Sequence, residues 1–170
     1  MSEPAADNIC GFEQCQDGAL LIVRDRVRQA WVDHNGHMNV AAYLTAFDSA
    51  ICTFCTAMAI GPDQIEKTGK TIFVAQANLI YLSELMEGAP VRTTLQVLAQ
   101  TVERVHVYLS LFDEDSNRLA AVNEQLLVCV DLNTRRPANL PVKSSRNFQK
   151  VFAKQQNLAV PRFVGRRIVL

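Results

Sequence analysis

Residues 33–39 read Asp33-His34-Asn35-Gly36-His37-Met38-Asn39, and an apolar run from Val40 to Ile60 follows them directly. The run contains no Lys, Arg or Glu. Its alanines and unbranched side chains favour a helix, and Gly61-Pro62 is a typical helix end. The stretch therefore predicts a long helix that the chain enters through a polar loop.

The predicted helix is apolar enough to raise the question of a membrane span. Asp48 lies near its middle, and Thr45, Ser49, Thr53 and Thr56 are spread along it. A carboxylate at the centre of a bilayer is costly. We therefore expect a helix buried on most sides within a soluble domain.

Segments of strand character surround this helix. Ala19 to Trp31 is a predicted strand before it, and the alternation from Thr71 to Leu85 predicts one after it. Short turns separate the later strands, and Glu87-Gly88 is one of these turns, so we expect consecutive strands to pair antiparallel. The predicted fold is α+β, with one curved antiparallel sheet wrapped around one helix. The remaining predicted strands cover residues 91–99, 105–111 and 118–132. On the strand from Thr71, one face carries Phe73, Ala75, Ala77, Leu79 and Tyr81.

The chain of 170 residues suits a single domain with a real core. Residues 1–17 carry few, unpatterned apolar side chains and are predicted to be a flexible tail. The domain is expected over residues 18–141. Residues 142–170 are predicted to form a short basic helix, Val142 to Gln156, and a tail that packs on the domain or on a neighbouring subunit.

Composition excludes several classes of partner. The formal net charge is zero, which argues against general binding to nucleic acid or to an anionic membrane. Residues 1–17 lack the basic and apolar regions of a signal peptide. The odd number of cysteines, five, fits reduced thiols in a cytoplasmic protein better than disulfides.

The polar loop holds the groups that could do chemistry. Taken singly, they have structural explanations: Asp33 suits a turn, Gly36 suits a positive φ, and Asn39 suits the helix N-cap. Together they suggest more, because a helix that begins at Val40 has free N–H groups that can hold an oxyanion. Asp33 could then attack a carbonyl or activate water. His37 would position water or the carbonyl, or tie the loop down.

Three stretches resemble a known family. The first is similar to the Asp-x-x-Gly-His-x-Asn-x-x-x-Tyr signature of hotdog-fold acyl-CoA thioesterases related to 4-hydroxybenzoyl-CoA thioesterase. The other two look like the betainyl-CoA thioesterase branch associated with carnitine breakdown, and the resemblance runs from about Val23 to Pro141. In order, the stretches are Trp31-Val32-Asp33-His34-Asn35-Gly36-His37-Met38-Asn39-Val40-x-x-Tyr43, Tyr81-Leu82-x-Glu84-Leu85-x-x-Gly88, and Glu124-Gln125-Leu126-Leu127-x-x-Val130-Asp131 with Arg135-Arg136-Pro137.

This resemblance implies a hotdog fold and hydrolysis of a small acyl-CoA, betainyl-CoA being one candidate, to the free acid and CoA. It implies that Asp33 is the catalytic carboxylate and that the backbone around Asn39 to Ala41, including Val40, polarises the thioester. His37 and Asn39 match further motif positions. No metal or prosthetic group is implied, since CoA is part of the substrate. A homodimer or homotetramer with active sites at the subunit interface is implied as well.

Glu124 is a second carboxylate of interest. On the last predicted strand it shares its phase with the apolar residues Ala120, Val122, Leu126, Val128 and Val130. Two structural explanations are a bulge that turns it outward and a buried pair with an arginine. The functional alternative is a catalytic acid with a perturbed pKa near the site.

Other residue types carry weaker signals. Four aromatic residues could line an acyl pocket or belong to the core: Trp31, Tyr43, Phe47 and Tyr81. Arg135 and Arg136 could contact CoA phosphates or be solvated surface charge. Cys52 and Cys55 are expected to be core residues, His106 a packed or exposed strand residue, and Asp33, His34 and His37 too few ligands for a metal site.

Two other functions remain open on the same fold. An enoyl-CoA hydratase would resemble an Asp-x-Asn-Pro-x-His arrangement, whereas this chain has Gly36 and no proline there. A non-catalytic acyl-CoA-binding protein is the second alternative, although regulators of that kind usually carry an added DNA-binding segment.

Overall fold

The computed structural model describes residues 8–168. Over these residues the chain forms eight strands, three helices and a short 3-10 turn at Gln29–Trp31. In chain order the elements are β1 (Asn8–Ile9), β2 (Phe12–Gln14), β3 (Leu20–Arg26), α1 (Val40–Ala57), α2 (Pro62–Thr68), β4 (Lys70–Tyr81), β5 (Pro90–Gln100), β6 (Arg104–Asp113), β7 (Arg118–Asp131), β8 (Arg136–Pro137) and α3 (Val142–Gln155). The helix and the four later strands agree with the sequence prediction, while α2 and β8 were not predicted. The predicted first strand ends at Arg26, so Trp31 lies in the 3-10 turn.

The strands form one antiparallel sheet in the order β1-β2-β3-β5-β6-β7-β4, and β8 pairs with β7. The expected pairing of β4 with β5 is wrong, because β4 pairs with β7 at the sheet edge and β5 pairs with β3. The segment between β4 and β5 is held elsewhere: Met38 N–H donates to Leu85 O (2.8 Å) and Val27 N–H to Ala89 O (3.0 Å). It therefore crosses the sheet and supports the loop before α1.

The two faces of the sheet differ in character. We call inner the face that packs on α1. It carries Val107 and Leu109 of β6, which belong to the same buried cluster as Phe47 and Phe54 of α1. We call the opposite face, which carries His106 and Tyr108, outer, because successive side chains of a strand alternate between faces.

A bulge changes the face assignment on β4. The register with β7 shifts between Val74 and Gln76, and Phe73 lies opposite Val128 on the outer face. The prediction that Phe73 shares a face with Ala77 and Tyr81 is therefore wrong. One extra residue in a strand reverses the alternation beyond it.

The helix α1 buries one face only. Eight of its residues are buried, among them Tyr43 and Phe47, whereas Val40 is 66% and Leu44 46% exposed. The expectation of burial on most sides is wrong for a single chain. α1 has the length and apolar character of a membrane-spanning helix, but the same features are found in a helix that packs on a sheet, as it does here.

Both terminal regions contribute to the domain. The predicted N-terminal tail is wrong for residues 8–14, which form β1 and β2 and bury Ile9 and Phe12; residues 1–7 lie outside the described residues. At the other end, α3 packs on β5 and places Phe148 against Phe54, with ring centroids 5.7 Å apart. The segment after α3 then crosses the outer face, where Asn78 Nδ2 donates to Arg166 O (3.0 Å). Of the apolar end of the tail, Ile168 is exposed, and Val169 and Leu170 are not described.

Candidate active site

The loop before α1 is a tight turn closed by Asp33. Asn35 N–H donates to Asp33 Oδ1 (2.8 Å), and Gly36 N–H donates to Asp33 O (3.0 Å). Gly36 adopts a φ of 80°, which favours glycine. Asp33 N–H donates to His37 O (3.2 Å), so Asp33 and His37 face each other across the loop.

Asn39 caps α1 with its side chain. Its Oδ1 accepts from Ala42 N–H (3.0 Å) and its Nδ2 donates to Trp31 O (2.8 Å). Trp31 O also accepts from Asn39 N–H (2.8 Å). The geometry thus gives Asn39 the structural role of an N-cap, which fixes where the helix begins relative to the loop.

The start of α1 presents free donors. The N–H groups of Val40 and Ala41 have no backbone acceptor within the described part of the chain. Both residues are exposed, and the first turn of α1 contains no acidic residue. The helix dipole adds positive potential at the same point, so this end can stabilise an oxyanion.

A cavity of about 330 Å³ opens beside this helix end. Tyr43 and Tyr81 form one wall, with ring centroids 5.3 Å apart and planes at 82°. Tyr43 OH donates to Ser83 O (3.1 Å) and Tyr81 OH to Val40 O (3.2 Å). Burial raises the pKa of Tyr43 and of Tyr81 above the usual tyrosine value. Both therefore act as neutral phenols at physiological pH.

His37 and Glu84 also line this cavity. His37 Nδ1 lies 3.2 Å from Met38 O; if Nδ1 carries the proton, Nε2 is left as an acceptor. Asp33 is half-buried next to His37, and only its Oδ1 is used by the turn. Glu84 was not identified as a site residue from the sequence. The sequence feature that could have identified it is its place in the second family-like stretch, two residues after Leu82.

The structure separates several predicted substrate-binding residues from this cavity. Phe47 is buried in the core and is not among the residues that line the cavity, so its role in substrate binding stays a prediction. Trp31 is half-buried in the 3-10 turn under Arg28, whose guanidinium lies 4.8 Å from the Trp31 ring centre. Arg135 and Arg136 are exposed beside β8. Arg136 pairs with Asp131, which pairs with Lys70 at the end of β4 remote from Tyr81.

Glu124 lies on the outer face, opposite Asn78 and Tyr108. Its Oε1 is 2.8 Å from His106 Nε2, and its Oε2 accepts from Gly165 N–H at 2.7 Å. The prediction of a catalytic acid near the site is wrong for one chain, because the sheet separates Glu124 from α1. The alternative pair with an arginine is wrong too, since the partner is His106. Glu124 instead holds the C-terminal segment on the sheet.

Residues 8–168 contain no group of three His, Cys, Asp or Glu side chains that could hold a metal ion. Cys55 is buried and Cys52 exposed, so the expectation that both belong to the core is confirmed for Cys55 alone. Burial raises the pKa of Cys55 to about 12, which keeps this thiol protonated.

Comparison with known proteins identifies the family of this chain. The model of the thioesterase-like superfamily matches residues 27–155. The betainyl-CoA thioesterase of Pseudomonas aeruginosa is 30% identical over 140 residues, which cover 82% of this chain and 88% of that protein.

Two solved structures are similar over nearly the whole chain. The hypothetical protein SAV2348 from Staphylococcus aureus, in complex with CoA, has a TM-score of 0.83 and 27% identity, covering 88% of this chain and 95% of that one. A putative thioesterase from Pseudomonas putida has a TM-score of 0.77 and 29% identity, covering 89% and 97%. This chain therefore belongs to the thioesterase-like superfamily, with the hotdog fold and the thioester-hydrolase activity of that family.

Proposed function

We propose that this protein hydrolyses a small acyl-CoA to the free acid and CoA at the start of α1. The observation that carries the proposal is the free pair of N–H groups at Val40 and Ala41, beside the cavity and close to the loop of Asp33. Donors fixed where negative charge develops are the largest contribution in many acyl-transfer enzymes. A relative at 30% identity is named for hydrolysis of an acyl-CoA.

The reaction follows from these groups. The thioester carbonyl oxygen accepts hydrogen bonds from Val40 N–H and Ala41 N–H. The free Oδ2 of Asp33 takes a proton from water, which attacks the carbonyl carbon, or attacks that carbon itself. The resulting oxyanion collapses, the C–S bond breaks, and CoA leaves as a thiolate that takes up a proton. When water is the nucleophile, this step gives the free acid. When Asp33 is the nucleophile, it gives an acyl-aspartyl anhydride, which water then hydrolyses to the free acid and the Asp33 carboxylate. His37 Nε2 holds the attacking water, and no step requires a metal or a prosthetic group.

We further propose that the enzyme is a homodimer or a dimer of dimers. The face of α1 away from the sheet carries one charged residue, Asp48. The neighbouring edge strand β4 exposes Phe73 (45%) and Val74 (44%). Exposed apolar side chains on an unpaired strand edge, beside a helix face with a single charge, are typical of an interface between subunits.

This arrangement also bears on the predicted phosphate contacts. Within one chain, Arg135 and Arg136 lie beyond the far end of β4, which is about 35 Å long at the usual rise per residue. They can reach a CoA bound at α1 only from a second subunit, across antiparallel β4 edges. The five cysteines are free thiols, which supports a reducing compartment such as the cytoplasm.

Release of free thiol from a panel of acyl-CoAs tests the proposal. The panel runs from acetyl through long-chain, aromatic and betainyl groups. We expect thiol release with a short acyl group to exceed that with a long-chain one. Binding of acyl-CoA without thiol release would indicate a non-catalytic protein instead. Hydration of an enoyl-CoA without thiol release would indicate a hydratase.

A further inference from the structure

Two amide side chains are buried on the inner face of β7 although most of their polar atoms have no hydrogen-bond partner among residues 8–168. Asn123 is 0% and Gln125 2% exposed. Asn123 Oδ1, Asn123 Nδ2 and Gln125 Oε1 have no hydrogen-bond partner within the described residues. A buried amide without partners destabilises a fold, whereas apolar side chains of the same shape would not.

The neighbours of these amides are apolar. Asn123 lies between Leu79 of β4 and Leu109 of β6, and Gln125 lies between Ala77 and Val107. Residues directly opposite each other share a face in an antiparallel sheet, so both amides point to the side of α1. Both amides are buried within their own chain. A ligand group that forms hydrogen bonds with them must therefore enter between α1 and the sheet.

The strand register connects this position to the proposed site. Ala121, the next inner residue of β7, lies opposite Tyr81, which forms the cavity wall beside Val40. Asn123 is two residues further along, or about 7 Å at the usual strand rise. A short acyl chain whose carbonyl is held by Val40 and Ala41 would approach Asn123 first and Gln125 behind it.

We propose that Asn123, backed by Gln125, binds the end of the acyl chain and selects acyl-CoAs whose short acyl group ends in a cationic group. This inference rests on the proposed function. The three unpaired atoms are two carbonyl oxygens and one amide nitrogen. The oxygen end of each amide dipole attracts a cation, and neither amide gains anything from a hydrocarbon. The rings of Tyr43 and Tyr81 lie on the path and can add cation–π attraction. A violation of the rule that buried polar groups are paired is expected at a functional site.

Two isosteric substrates test the selection. Betainyl-CoA ends in a trimethylammonium group, and 3,3-dimethylbutyryl-CoA has the same shape with a neutral carbon in place of the nitrogen. We measure kcat/KM for both by thiol release and take the ratio of the cationic to the neutral substrate. The wild-type ratio is expected to exceed one.

Asn123→Leu and Gln125→Met replace the amides with apolar side chains of similar length. We expect the ratio to fall about tenfold or more in Asn123→Leu and less in Gln125→Met, because a cation–dipole contact in a dry site is lost. Thr93→Val is the matched control, as Thr93 is a buried polar residue on β5, opposite Leu111; its ratio should equal that of the wild type. Asn123→Ala serves the same purpose should the leucine variant not fold.

The outcomes separate the two proposals. Unchanged ratios in both amide variants, with a raised melting temperature, would overturn the inference. The amides would then be merely unpaired or bound to a buried water. Thiol release by the wild type would still support the proposed function. A wild-type preference for the neutral substrate would also overturn the inference alone. Absence of thiol release from both substrates and from the wider acyl-CoA panel would overturn the proposed function, and the inference with it.

Discussion

At the scale of single residues, the loop before α1 joins structural and chemical roles in neighbouring positions. Asn39 Oδ1 accepts a hydrogen bond from Ala42 N–H, and Asn39 Nδ2 donates one to Trp31 O. The same cap leaves Val40 N–H and Ala41 N–H without a backbone acceptor in the described chain. The cap therefore sets where an oxyanion would be held.

Replacing Asn39 tests that role. Asn39→Ala should lower the free energy of unfolding by about 1 kcal/mol, since an N-cap side chain is lost, and should reduce thiol release because the helix end is no longer fixed. Chemical denaturation and the thiol assay measure the two effects. Asn39→Asp is the control, because it keeps the acceptor for Ala42 N–H. An alanine variant as stable as the wild type would contradict the assignment.

The sequence allowed some site residues to be predicted and not others. The turn at Asp33 and the cap at Asn39 depend on local chemistry, and the structure agrees with both. Glu84 lines the cavity only because the segment after β4 crosses to the loop, a contact between distant parts of the chain. Phe47 and Tyr43 could not be told apart by composition, yet one is in the core and the other on the cavity wall.

At the level of helices and strands, the structure differs from the sequence prediction mainly in strand pairing and in side-chain alternation. A bulge between Val74 and Gln76 moves Phe73 to the outer face, and a bulge leaves no clear mark in a single sequence. The position of β4 beside β7 depends on long-range pairing, which hairpin spacing alone does not reveal. In contrast, α1 was predictable because its run is long and contains no Lys, Arg, Glu, Gly or Pro before Gly61.

Glu124 fixes the C-terminal segment to the outer face through Gly165 N–H. Glu124→Ala should expose that segment to trypsin at Arg162 and Arg166, while thiol release stays within about twofold of wild type because the sheet separates it from α1. Limited proteolysis followed by mass spectrometry measures the effect. Glu66→Ala, an exposed carboxylate on α2, is the control. A large loss of activity with the segment still protected would restore a catalytic role to Glu124.

The exposed face of α1 tests the proposed dimer. Leu44→Lys places a charge at a site that is 46% exposed in one chain and should lower the sedimenting mass from two or four times 18.9 kDa towards 18.9 kDa. Desolvating a lysine in an apolar interface is unfavourable. Val102→Lys is the matched control, at a residue 64% exposed before β6. The proposal fails if the wild type is monomeric.

At the scale of the whole molecule, buried acids predict how stability depends on alkaline pH. Burial raises the pKa of Cys55 from 9.0 to about 12 and that of Tyr108 from 10.0 to about 12. Above pH 9 the unfolded chain loses these protons while the folded chain keeps them. The slope of stability against pH is therefore negative, and the stabilisation present below pH 9 is lost as pH rises towards 12.

Urea denaturation at pH 8 and pH 10 measures this loss. Each such group contributes up to about 1.4 kcal/mol per pH unit once its unfolded form is ionised. Cys55→Ala should be less stable at both pH values, because the substitution leaves a cavity. The difference in stability between pH 8 and pH 10 should be smaller than in the wild type, because alanine does not titrate. Equal stability of the wild type at pH 8 and pH 10 would contradict the prediction.

In the proposed reaction, Asp33 supplies the carboxylate for hydrolysis at the start of α1. The most direct measurement compares kcat/KM for thiol release in Asp33→Asn and Glu84→Gln, with folding checked by circular dichroism. General-base or nucleophilic action predicts a loss of about 100-fold or more in Asp33→Asn, and a change of less than about threefold in Glu84→Gln. Full activity of a folded Asp33→Asn variant, with the loss found in Glu84→Gln instead, would contradict the claim and move the catalytic carboxylate to Glu84.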